Sequence, residues 1–104
     1  MSDSKSKELG EVLTRESTRT KEPKMYRVLL LNDHYTSQQF VVEILEQVFH
    51  KAHPEAVEIM LQVHTKGSGT AGIYTKEIAE TKVATVHHLA VEHEFPLKCS
   101  MEPM

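Results

Sequence analysis

The stretch Met25-Tyr26-Arg27-Val28-Leu29-Leu30-Leu31-Asn32-Asp33-His34-Tyr35-Thr36 decides how the rest of the chain is read. Its opening residues, Met25 to Leu31, are mostly apolar and carry a β-branched valine, as a buried strand does. Asn32-Asp33-His34-Tyr35 then breaks the run with turn-forming and polar side chains. Thr36 is placed to cap a helix, and Gln39 three residues later completes a capping box. Apolar residues at positions 40, 41, 44, 45, 48 and 49 follow at helical spacing. The predicted local order is therefore strand, polar turn, helix.

Downstream, a second helix is predicted from His53, with Pro54 at its first position and Glu55 in its first turn. Its apolar face is Ala56, Val57, Met60, Leu61 and His64, and Gly67 ends it as a C-terminal cap. Gly67 to Tyr74 reads as a turn running into a short strand. Thr75 is placed to cap a third helix, with Glu77 near its positive end. Ala79, Val83, Val86 and Ala90 make that helix's inner face, helped by Ile78 and Leu89. Pro96 bars further helix, and Leu97, Cys99 and Met101 then alternate with Lys98, Ser100 and Glu102 as a half-exposed strand does. Three short strands do not stand alone, so helices must cover one sheet face. The expected class is α+β: a three-stranded antiparallel sheet covered on one face by three helices, in the order βααβαβ.

Residues 1–24 differ in character. They are rich in Ser, Thr, Lys and Glu, and their large apolar residues after Met1 are Leu9, Val12 and Leu13. Such a segment buries too little surface to offset its ordering entropy, so it is expected to be a mobile tail before a core at residues 25–104.

The 104 residues suit one domain. The net charge of -3 and the absence of a Lys/Arg block argue against a nucleic-acid partner. The longest apolar run, Val28 to Leu31, is far too short to span a bilayer, and the N-terminus lacks an apolar signal core. These features point to the cytoplasm. The single cysteine, Cys99, excludes an internal disulfide. Seven histidines are present, but no Cys-x-x-Cys or His-Glu-x-x-His spacing accompanies them, so no metal and no cofactor are expected. Cys99 as a nucleophile lacks an evident oxyanion loop, so the chain is not expected to be an enzyme.

The candidate chemistry lies in Asn32, Asp33 and His34 together with His64. Asn offers a carbonyl acceptor, Asp a charged acceptor and neutral His one ring acceptor. Acceptors beside apolar side chains suit a cationic donor such as an amine. The same triplet also reads as an ordinary turn, because Asn and Asp bond their own backbone. Leu30, Val41, Met60, Val63 and Leu97 meet where the helices leave the sheet, either as simple core or as the lining of a pocket.

Several motifs in order resolve the choice by resemblance. Tyr26 to Asp33, then Tyr35-Thr36 and Phe40-Val41-Val42, closely resemble the opening of ClpS adaptor proteins. Met60-Leu61-Gln62-Val63-His64 with Gly67 resembles the family's second-helix motif. Glu77 to Val83 resembles the third-helix motif, and Pro96-Leu97 the closing segment. The likeness spans residues 25–101. It implies an adaptor that recognises proteins bearing a destabilising Leu, Phe, Tyr or Trp at the N-terminus and delivers them to the ClpA unfoldase of the ClpAP protease. It implies that Asn32, Asp33, His34 and His64 hold the peptide's α-amino group. Leu30, Thr36, Gln38, Val41, Met60, Val63 and Leu97 fall on its pocket positions. Glu77 and Lys82 fall on positions that dock on the ClpA N-terminal domain, and the tail resembles the family's variable extension. A monomer is expected.

Two departures stand out. Many relatives carry a second Asp where this chain has His34, and relatives commonly carry Met where it has Gln38. These keep a second expectation in view: a ClpS-like modulator of the unfoldase with altered or lost N-terminal specificity.

Overall fold

The computed structural model describes residues 22–104. Most of the expected tail, residues 1–21, lies outside the described residues. The elements run β1 (Met25–Leu31), α1 (Gln38–Gln47), α2 (His53–Lys66), β2 (Ser68–Thr75), α3 (Lys76–Glu92) and β3 (Lys98–Pro103). This is the expected βααβαβ order. All strands are antiparallel and β1 is central, in the order β2-β1-β3.

Alternation along the strands decides which face is covered. Val28 and Leu30 of β1 are fully buried, as is Ala71 of β2, and Cys99 of β3 is buried opposite Leu30. Leu29 between them is only half-buried, and Ile73 of β2 is exposed. The helices pack on the Val28/Leu30 face. Helix α3 touches all three strands, α2 lies along β2, and α1 packs on α2. Leu45 and Val86 are the largest fully buried helical side chains of this core.

Local chemistry sets the helix ends, with two corrections to the expectations. The N-cap of α1 is Ser37, not Thr36: Ser37 is extended (φ -69°, ψ 147°), and its Oγ accepts from the Phe40 amide at 3.1 Å. The Thr36 hydroxyl is already committed to Asp33. Gln39 makes no capping box; its side-chain amide donates to Glu43 Oε1 at 3.5 Å. Thr75 does occupy the N-cap of α3 but makes no side-chain cap bond. Pro54 and Glu55 stand in the first turn of α2, and Gly67 ends it in the left-handed region at φ 89°.

The face of α2 is rotated from the expected one. Ala56, Ile59, Met60 and Val63 are buried, whereas Leu61 is 48 % exposed and His64 is exposed. The buried set follows the i, i+3, i+4, i+7 stripe, and residues 61 and 64 lie one position further round. On α3, Ala79, Val86 and Ala90 are buried as expected, while Ile78 is exposed.

Two contacts hold the helices that carry the candidate site. A Cβ on Gly69 of β2 would stand 2.8 Å from Val63 Cγ2 and 3.3 Å from the Ile59 carbonyl. Only glycine lets α2 approach β2 this closely. At the start of α1, the Phe40 ring packs on Phe95 at 4.8 Å and on His93 at 5.2 Å between centroids. These rings pin the N-terminal turn of α1 to the segment leading into β3.

Candidate functional site

The chain leaves β1 at Leu31 and turns through residues 32–37 into α1. Asn32 continues the β1–β2 ladder by one bond, its amide donating to the Gly67 carbonyl at 2.9 Å. Gly67 is the cap of α2, so this bond brings Asn32 to the helix end that carries His64.

Asp33 braces the turn. Its Oδ1 accepts from the amides of Tyr35 at 2.8 Å and Thr36 at 2.7 Å, and its Oδ2 accepts from the Thr36 hydroxyl at 2.6 Å. A carboxylate has about four acceptor positions, so one remains for a ligand. Partial burial favours the neutral acid. The bonds from the Thr36 side chain and from the Thr36 and Tyr35 amides, with the His34 imidazole nearby, outweigh that burial. The carboxyl therefore titrates below its ordinary 3.8. It is a fixed anion at neutral pH, and its main work is to shape the loop.

Between this loop, α1 and α2 lies a hollow of about 170 Å³. Asn32, Asp33, His34, Thr36 and His64 supply polar lining, and Gln38, Val41, Met60 and Val63 complete the wall. Drug-sized ligands occupy roughly 300–1,000 Å³, so this space suits one side chain. Val41, Met60 and Val63 are buried beneath it, while Asn32, His34, Gln38 and His64 are exposed around it. An apolar floor under a rim of acceptors can take a side chain carrying a cationic group at its base.

Nine of the expected site residues thus come together. Leu30 and Leu97 do not join them: both are buried in the core, at 0 % and 4 % exposure, and neither lines the hollow. The sequence shows that both are apolar but not on which side of a void they stand. The supporting residues Ser37 and Gly69 were not anticipated. Of the two, Gly69 carries a sequence signal, as a glycine inside a strand pattern.

A larger hollow, about 630 Å³, lies at the other end of α1 against α3. Glu77, Ile78 and Lys82 line it with Val48 and His50. Glu77 is exposed in the first turn of α3. Lys82 is not a free surface charge. Its ammonium donates to the Val48 carbonyl at the C-cap of α1 and lies 5.6 Å from the centroid of the Tyr74 ring.

The alternative chemistry has no geometry behind it. Cys99 is buried, and burial pushes its thiol up to about 12. The adjacent imidazole, His87, accepts through Nε2 from the Cys99 amide at 3.2 Å rather than from the thiol. Among the described residues no group of three or more His, Cys, Asp or Glu is placed to hold a metal ion. No helix among them is long and apolar enough to cross a membrane.

Residues 21–100 match the family described as ATP-dependent Clp protease adaptor protein ClpS. The chain is similar to the ATP-dependent Clp protease adapter protein ClpS of Desulfatibacillum aliphaticivorans, with 54 % identity over 99 % of both chains. It is 56 % identical to the ClpS of Desulfotalea psychrophila, over 92 % of this chain and 94 % of that one. Among solved structures it is similar to Agrobacterium tumefaciens ClpS2 bound to L-phenylalaninamide. The TM-score is 0.76 and the identity 38 %, covering 79 % of this chain and 99 % of that one.

Proposed function

The chain belongs to the ClpS family of ATP-dependent Clp protease adaptor proteins, and on that footing we propose that it selects proteins by a bulky apolar N-terminal residue and delivers them to the ClpA unfoldase of ClpAP. The observation that carries this reading is the hollow itself: Val41, Met60 and Val63 below, Asn32, His34 and His64 at the rim. L-phenylalaninamide, the molecule bound to the similar ClpS2, combines a free α-amine with an aromatic side chain. Those are the two features the hollow is shaped to take.

The α-amine of a peptide titrates near about 7.7–8.0, so it is largely cationic at neutral pH. Asn32 and His64 accept its hydrogen bonds, and the open position on Asp33 adds a fixed negative charge. Charge-assisted bonds contribute roughly 1.5–3 kcal/mol, and burial of a Leu or Phe side chain contributes a similar amount. Neither alone makes a selective reader. Together they demand a free amine and a large apolar side chain on the same residue. A β-branched first residue places a methyl at the narrow rim and is rejected by about 1–3 kcal/mol.

Delivery rests on the second hollow. Glu77 and the fixed Lys82 offer an anion and a cation on one hollow with exposed Ile78, a surface suited to the ClpA N-terminal domain. The adaptor works as a monomer that binds and does not cleave. A peptide array varying only the first residue, with an acetylated control, tests the reading. Binding confined to unblocked Leu, Phe, Tyr and Trp supports it. A second reading draws on His34, which puts an imidazole in the acceptor rim, and Gln38, which puts an amide in the wall: a modulator of the unfoldase with altered or lost N-terminal specificity. The same array decides between them.

A further inference from the structure

We infer that His87 is a pH-sensitive latch between α3 and the outer edge of β3, closed while its imidazole is neutral and released when it is protonated. Strand β3 stands at the edge of the sheet and pairs with β1 alone. An edge strand carries amides and carbonyls that no neighbouring strand takes up, and proteins cover or blunt them. Pro103, at the end of β3, has no amide to offer. The Cys99 amide is taken up by His87, donating to Nε2 at 3.2 Å. Packing holds the ring in reach. Val86 and Ala90, on either side of His87 along α3, are 0 % and 2 % exposed, while His87 itself is exposed. The ring thus reaches the strand and still meets solvent.

An imidazole nitrogen accepts only through a free lone pair, so Nε2 bears no hydrogen while this bond is made, and the ring's hydrogen is on Nδ1. A proton from solvent adds to Nε2. The ring is then a donor on both nitrogens, and two donors face each other where one bond stood. Histidines change charge between about pH 5 and pH 8, so the latch opens within that range.

The charged groups on the packed elements are engaged elsewhere. Alternation along β3 puts Cys99 on the helix side and Lys98 and Glu102 on the other. Glu102 is bound by Arg27 of β1 at 3.3 Å. On the helix side β1 and β2 offer the phenols of Tyr26 and Tyr74, neutral in this range. The Cys99 thiol is neutral there as well. On α3 the adjacent His88 is bound to Glu92 at 3.5 Å. In the turn that follows, His93 lies against the Phe40 ring and Glu94 is exposed. None of the described ion pairs includes His87.

The test follows the His87 ring and the Cys99 amide of the full chain by NMR from about pH 7.5 to about pH 5. The Cys99 amide should shift with the same midpoint as the ring. Its protection from hydrogen exchange, corrected for the intrinsic rate, should fall by about two- to ten-fold across the range. In His87→Gln the side-chain oxygen accepts at any pH, so protection of Cys99 should be equal at both ends. A Cys99 amide that ignores the ring's titration, or an equal loss of protection in His87→Gln, overturns the latch. Should His87→Gln fail to fold, the wild-type midpoints decide alone: coincidence supports the latch and separation overturns it. No ligand enters the test, so its outcome is independent of the adaptor reading.

Discussion

The Asn32 amide donates to the Gly67 carbonyl at 2.9 Å, and this bond joins the two halves of the site. Asn32 directly follows the central strand, and Gly67 ends the helix that carries His64. The relative placement of Asn32 and His64 is therefore set by this backbone bond.

Gly67 holds φ at 89°, and a Cβ there would meet nothing within 4 Å. Gly67→Ala should therefore cost only the backbone strain, about 1 kcal/mol. For a domain of this size the melting temperature should fall by about 4–8 °C. An unchanged melting temperature would show that the cap tolerates a side chain.

Asp33 braces the turn through three hydrogen bonds. Asp33→Asn keeps one acceptor but loses the charge and the oxygen that accepts from the Thr36 hydroxyl, and should cost about 1 kcal/mol at neutral pH. The folded carboxyl lies below its ordinary 3.8. Its stabilisation is thus complete above that value and is lost as pH falls through the folded value. Urea denaturation at neutral pH and again below 3.8 should show the gap between wild type and variant narrowing in acid.

His34 lines the hollow beside Asn32 and His64. Histidines change charge between about pH 5 and pH 8, and an imidazolium repels a peptide amine. Affinity for a Leu-initiated peptide should fall more steeply from about pH 7.5 to about pH 6 in wild type than in His34→Asp. Fluorescence anisotropy at both values checks this, and equal slopes would sink it.

Much of the fold was legible because the residue period changes sharply. The apolar run Val28 to Leu31, the polar break at Asn32 and the helical spacing from Phe40 fixed the first three elements. Gly67 announced its cap by turn chemistry. The errors fell where the sequence offers two equivalent choices. Thr36 and Ser37 are adjacent hydroxyls, and the competing demand of Asp33 decides which one caps α1. Helix α2 carries more apolar residues than its buried stripe holds, so Leu61 reads as inward-facing by spacing yet is exposed. At the site, the rim was readable through resemblance. The depth of Leu30 and Leu97 was not, because spacing does not show where a void lies.

The central claim is that a free α-amine and a bulky side chain are read together. It is tested most directly by the affinity of a Phe-initiated peptide against its N-acetylated twin. Acetylation removes the charge and leaves a single N–H, so Asn32 or His64 loses its donor. The expected loss is about 10- to 150-fold, the equivalent of 1.5–3 kcal/mol. Equal binding of the two peptides would contradict the account.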